Sequence, residues 1–180
     1  MTLSALALAV ILSAIAGAPA LARVPPEDLA RDVAGVVESE GGIPELGRRA
    51  TVRMLLAISF HESGWRTDVD SGAKRGQGID LCLMQVRPVN GFVDQWTIAE
   101  LLADRRRCIA IGLKRARRSI AKCRTHEGAA VPLIDRLAAY ASGSCGRARA
   151  VSREFFALER KWRGIKPAAL PAAAGKEAGT

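Results

Sequence analysis

The sequence predicts a mainly α-helical domain, and three observations carry that expectation. Apolar residues recur at three- and four-residue intervals in several separate stretches. Residues that start and stop helices bracket those stretches. The long segment that lacks this periodicity, between Gly64 and Gly91, is rich in Gly, Asp and Ser and reads as loop with room for one short hairpin.

Taken in order, Pro25-Pro26 followed by Glu27 and Asp28 starts a helix with acids in its first turn. Leu29, Val33, Val36 and Val37 continue it until Gly41-Gly42. A second helix is expected over residues 45–63. Its apolar positions Val52, Leu55, Leu56, Ile58 and Phe60 surround most of the circumference, which predicts burial. Gly64 stands at its C-cap. Thr97 with Glu100 three residues on has capping-box spacing. Ile109, Leu113 and Ile120 mark a helix over 107–123, and Pro132 precedes another over 133–142. Val151, Phe155, Leu158 and Trp162 mark a last one over 147–162.

The two ends stand apart from this pattern. Residues 1–22 contain no Lys, Arg, Asp or Glu, run apolar from Leu3 through Ile15 and finish as Ala18-Pro19-Ala20-Leu21-Ala22. An apolar run of that length closing on A-x-A reads as a secretory signal, cut after Ala22; an uncut anchor is the alternative. Residues 23–164 are then one domain of ordinary size, and the Pro/Ala-rich stretch 165–180 reads as a disordered tail. No other segment is apolar enough to cross a bilayer, so no stable membrane span is expected once the signal is gone.

The net charge of +9 falls on the part beyond the signal and favours polyanionic partners. The densest basic runs, Arg105-Arg106-Arg107 and Lys114-Arg115-Ala116-Arg117-Arg118, read first as solvated helix faces and second as attraction for anionic wall polymers. They hold no interleaved aromatics, which argues against nucleic acid. The four cysteines, Cys82, Cys108, Cys123 and Cys145, suggest two disulfides in an oxidising compartment. There is no Cys-x-x-Cys, and neither His61 nor His126 stands at ligand spacing, so no metal site is expected.

The segment that points to chemistry is Leu55-Leu56-Ala57-Ile58-Ser59-Phe60-His61-Glu62-Ser63-Gly64-Trp65. A carboxylate ends an apolar helix where the chain turns into loop. Desolvation there raises a carboxyl pKa, as a general acid at neutral pH requires. The plainer reading is a solvated Glu, although the helix dipole disfavours an anion at this end.

Glu62-Ser63, then Leu83-Met84-Gln85, then Ala139-Tyr140 with Gly143 follow one another along the chain. In that order they resemble the three motifs of the soluble lytic transglycosylase family, Glu-Ser, Gly-Leu-Met-Gln and Ala-Tyr-Asn-x-Gly, over residues 45–160. The resemblance implies a goose-lysozyme-like fold and cleavage of the β-1,4 bond between N-acetylmuramic acid and N-acetylglucosamine in peptidoglycan, without a cofactor. It implies Glu62 as the acid/base, Ser63 as a polar neighbour, Met84 packed against the groove, Gln85 lining the sugar subsites and Tyr140 bonded near the carboxylate. It further implies an exported monomer whose partner is the glycan strand. Cys82 stands where the family has Gly and Ala141 where it has Asn. The family's Asp-Pro and Asn-Ile segment reads Asp104-Arg105-Arg106-Arg107-Cys108-Ile109 here. Asp68, Asp70 and Asp80 lie in the loop after Glu62, where a goose-type hydrolase keeps a water-activating carboxylate. The altered positions also admit a wall-binding module without turnover.

A continuous helix from 108 to 123 separates its ends by about 22 Å, whereas a disulfide spans about 4.4–6.8 Å between Cα atoms. Cys108–Cys123 is therefore excluded. An antiparallel return of 133–142 favours Cys108–Cys145 with Cys82–Cys123; the rival is Cys82–Cys108 with Cys123–Cys145. Either set braces the segments around Gln85 and Tyr140.

Overall fold

The computed structural model describes residues 2–16, 22–76, 79–128 and 130–165. Residues 17–21, which include most of the A-x-A pattern, and the tail 166–180 lie outside the described residues.

The structure is mainly helical. Helix α1 (Leu3–Ile15) packs on α2 (Pro26–Glu40) and on α3 (Gly47–Ser63). Leu6, Ala7, Val10 and Ile11 of α1 are buried in the same core as Leu29, Val33 and Val37 of α2. The chain between α2 and α3 turns at Gly41, whose φ is +78°. Thr51 ties this turn down, because its hydroxyl donates to Gly47 O at 2.8 Å and accepts from Ile43 N at 2.7 Å.

Past α3 come a short α4 (Thr67–Asp70), a tight turn over 81–86, and a hairpin of β1 (Phe92–Val93) and β2 (Trp96–Thr97) in which Val93 pairs with Trp96. The hairpin thus begins just beyond the Gly-rich stretch rather than inside it. The capping box forms as expected: Thr97 accepts from Glu100 N, and the Glu100 carboxylate accepts from Thr97 N at the start of α5 (Ile98–Leu102).

The long α6 (Arg105–Glu127) begins at Asp104, whose side chain accepts from Arg106 N. It packs on α2, α3 and α5. Where one helix was expected over 133–142 there are two, α7 (Leu133–Arg136) and α8 (Ala138–Ser142). The break falls at Leu137, a fully buried side chain. Helix α9 (Arg149–Arg163) closes the fold against α3, burying Phe155, Phe156 and Trp162.

The disulfides are Cys82–Cys108 and Cys123–Cys145, so the favoured pairing is corrected to its rival. The reason lies in where α7 and α8 sit on α6. Two short helices do not carry the chain back along the whole of α6. Ser119 Oγ holds Arg136 O and Lys122 Nζ holds Gly143 O, which keeps α7 and α8 on the C-terminal half of α6. Cys145 follows directly and meets Cys123.

Candidate active site

The end of α3 is fixed by a network of two serines and a tryptophan. Ser59 Oγ donates to Leu56 O at 3.1 Å and accepts from Trp65 Nε1 at 2.8 Å. Ser63 Oγ donates to Ser59 O at 2.6 Å and accepts from Trp65 N at 3.1 Å. Gly64 and Trp65 both adopt left-handed backbone, with φ of 59° and 57°, and turn the chain under the helix. Trp65 is buried edge-on to Phe60 and near Trp162. These contacts lock the last turn of α3 and with it the direction of Glu62.

Glu62 lines a cleft of about 770 Å³ whose walls come from five places. His61 and Glu62 belong to α3; Gly76, Asp80, Gln85 and Arg87 to the loop; Arg115, Arg118, Ser119 and Lys122 to α6. The segment 139–143 and Val151 complete it. Glu62, Gln85 and Tyr140, widely separated in sequence, thus share one cavity.

Burial raises the pKa of Glu62 above the ordinary carboxylate value. His61 opposes the shift, and the negative charge of Asp80 adds to it. The His61 ring stands between two carboxylates: Nδ1 lies 4.0 Å from Glu62 Oε1, and Nε2 lies 2.8 Å from Glu154 Oε2. Burial, together with the nearby Glu62, pushes the phenol of Tyr140 far up, so it stays a neutral donor. Its hydroxyl donates to Met84 O at 3.1 Å, which joins α8 to the 81–86 turn.

That turn is built on left-handed backbone at Cys82 (φ 55°) and Gln85 (φ 45°). Leu81 and Val86 exchange backbone hydrogen bonds across it at 3.0 and 2.9 Å. Gln85 Nε2 donates to Cys82 O at 3.0 Å. A Cβ at Gly76 would lie 1.8 Å from Gln85 Oε1, so a side chain there would displace the Gln85 amide from its present position.

Two of the expected groove residues stand elsewhere. The Met84 side chain is buried under α6, where a Cβ at Gly112 would lie 2.2 Å from its Cε; only its carbonyl reaches Tyr140. Ser63 faces inward and is occupied by the backbone of its own helix end. Of the loop acids, Asp68 pairs with Arg66 and Asp70 with Arg105 outside the cleft, while Asp80 lies inside it, held by Arg87 at 3.0 Å. Among the described residues, no group of His, Cys, Asp and Glu is placed to hold a metal ion.

Sequence reading missed His61 and the three α6 cations as cleft residues. The cations had a signal: Arg115, Arg118 and Lys122 fall at helical spacing on the side away from Leu113 and Ile120. The His61–Glu154 contact bridges 93 positions and leaves no local trace.

Compared with protein-family models, with curated proteins and with solved structures, the chain matches none.

Proposed function

We propose that the chain is an exported lytic transglycosylase with a lysozyme-like fold, cleaving the β-1,4 bond that follows N-acetylmuramic acid in peptidoglycan. The observation that carries the reading is the meeting of Glu62, Gln85 and Tyr140, one residue from each motif, around a carboxyl group whose pKa is raised by burial. Two disulfides and the uncharged apolar segment 3–15 support export.

The chemistry needs one carboxyl group. Protonated Glu62 gives its proton to the glycosidic oxygen as the bond from the muramic C1 breaks, leaving a hydroxyl on the departing N-acetylglucosamine. The C6 hydroxyl of the same muramic residue bonds to C1. The Glu62 carboxylate takes the proton that this hydroxyl loses and is ready again. Tyr140 and Gln85 hold the walls around the reacting sugars.

A second reading, hydrolysis by activated water, is favoured by Asp80, the one loop acid that shares the cleft with Glu62. Its carboxylate is already engaged by Arg87 through both oxygens, which makes it the weaker alternative. Mass spectrometry of digested peptidoglycan separates the two. Anhydro ends are expected from the wild type and none from Glu62→Gln; reducing ends would select hydrolysis. Undiminished anhydro product from Glu62→Gln would remove Glu62 from the mechanism.

A further inference from the structure

The cleft has a charge imbalance that acid/base work at Glu62 does not use. Four cations, Arg87, Arg115, Arg118 and Lys122, face two carboxylates, Glu62 and Asp80. Arg87 is matched by Asp80. The other three make no ion pair among the described residues: Arg115 donates to Arg87 O and Lys122 to Gly143 O, while Arg118 is exposed. Outside the cleft, Asp94 feels the charges of Arg118 and Arg115 but is itself held by Lys114 at 2.8 Å.

The second cleft, on the other side of α6, behaves differently. There Arg106 pairs with Asp32, Arg107 with Asp104 and Lys114 with Asp94, while Arg117 caps the end of α2 through the carbonyls of 40–42. Three of the four α6 cations on that side are thus ion-paired with carboxylates, whereas among the described residues none of Arg115, Arg118 and Lys122 on the Glu62 side is. The unmatched row runs along the axis from 115 to 122, about 10 Å at 1.5 Å per residue. That is close to the length of one β-1,4-linked disaccharide. The facing segment offers small Ala139 and Ala141 beside the uncharged Tyr140 and Ser142, whose hydroxyls already donate to Met84 O and Ala138 O, so selection by charge falls to α6.

We propose that Arg115, Arg118 and Lys122 receive free carboxylates carried on the glycan strand, and that the cleft selects anionic strands over neutral ones. Two sources share this chemistry in peptidoglycan, the lactyl group of a stripped muramic residue and the acids of its stem peptide. The inference rests on the glycan-cleaving reading, but it is a statement about binding and can be tested apart from turnover.

The test uses Glu62→Gln, which keeps every cation in the cleft. Its affinity is measured for peptide-bearing strands, for strands stripped by an amidase, and for each after the carboxylates are converted to amides. Two or three exposed charge pairs predict about tenfold tighter binding of the free-carboxylate form, shrinking with added salt. Whichever unamidated strand binds tighter identifies the source. In the same background Arg118→Gln, at an exposed position, should remove part of that preference and flatten the salt dependence. Equal binding of free and amidated strands overturns the proposal, as does an unchanged salt slope in the Arg118→Gln variant. A wild type that cleaves nothing yet keeps the charge preference would sink the lytic reading and leave this one standing.

Discussion

At Glu62 the folded protein holds a proton more tightly than the unfolded chain, because burial disfavours the carboxylate. Between the ordinary value of 4.5 and the raised value in the fold, the native state binds more protons, so its stability falls as pH rises through that window. Glu62→Gln removes the charge and keeps the shape. Its melting temperature is expected to exceed that of the wild type at pH 7, with the gap closing below about pH 4. A gap of equal size at both pH values would mean packing, not ionisation. Cleavage should follow the same titration, declining as Glu62 loses the proton it donates. The carboxyl could be picked out in the sequence from its place at the end of an apolar helix. Its supports could not: Ser59 looks like an intrusion in that helix until Trp65 is seen to bond to it. Ser63, matched to a motif, instead serves the backbone.

The 81–86 turn shows how an element can absorb a departure from a family pattern. The resemblance puts Gly at position 82, and the backbone there is left-handed, the conformation glycine adopts without strain. Cys82 bears that strain, and its bond to Cys108 anchors the turn to α6. Comparing two unbridged proteins isolates the term. Cys82→Gly/Cys108→Ala is expected to be about 1 kcal/mol more stable than Cys82→Ala/Cys108→Ala, against the usual cost of glycine. Either should fall about 3 kcal/mol below the bridged protein in a denaturant melt. If the alanine protein is the more stable, position 82 does not need the left-handed backbone. Legibility varied by element for physical reasons. Helices α2, α3 and α9 end within about two residues of expectation, because periodicity and end signals agree. The region 133–142 has no internal Gly or Pro to announce its break. Leu137 is buried there with its backbone still in the right-handed helical region, and the seat of α7 and α8 on the C-terminal half of α6 goes with the disulfide pairing.

At the scale of the whole molecule, α6 is the partition. Its apolar residues meet α2 and α3, the cations paired with Asp32, Asp104 and Asp94 face one cleft, and Arg115, Arg118 and Lys122, without an ion pair among the described residues, face the other. The fold class was legible because most of the core lies on regular helices. What the sequence hid was α1: a run that is apolar all round carries no period to show whether it faces a core. In the structure its Leu6, Val10 and Ile11 are fully buried, each worth about 1.5–3 kcal/mol. A chain beginning at Arg23 is therefore expected to melt several degrees lower than the full chain and to bind a hydrophobic dye on the uncovered faces of α2 and α3. Equal melting temperatures and no dye binding would show that α1 contributes nothing to the fold.

The seat of α1 has a consequence for timing. If residues 1–22 direct export, the machinery that reads them must grasp the segment that the finished fold hides. Folding and recognition then compete for the same side chains, and a chain that folded early would conceal its own address. The two disulfides bias that race. They form where the surroundings are oxidising, so an exported chain would be less stable before crossing than after, and its address would stay legible until used.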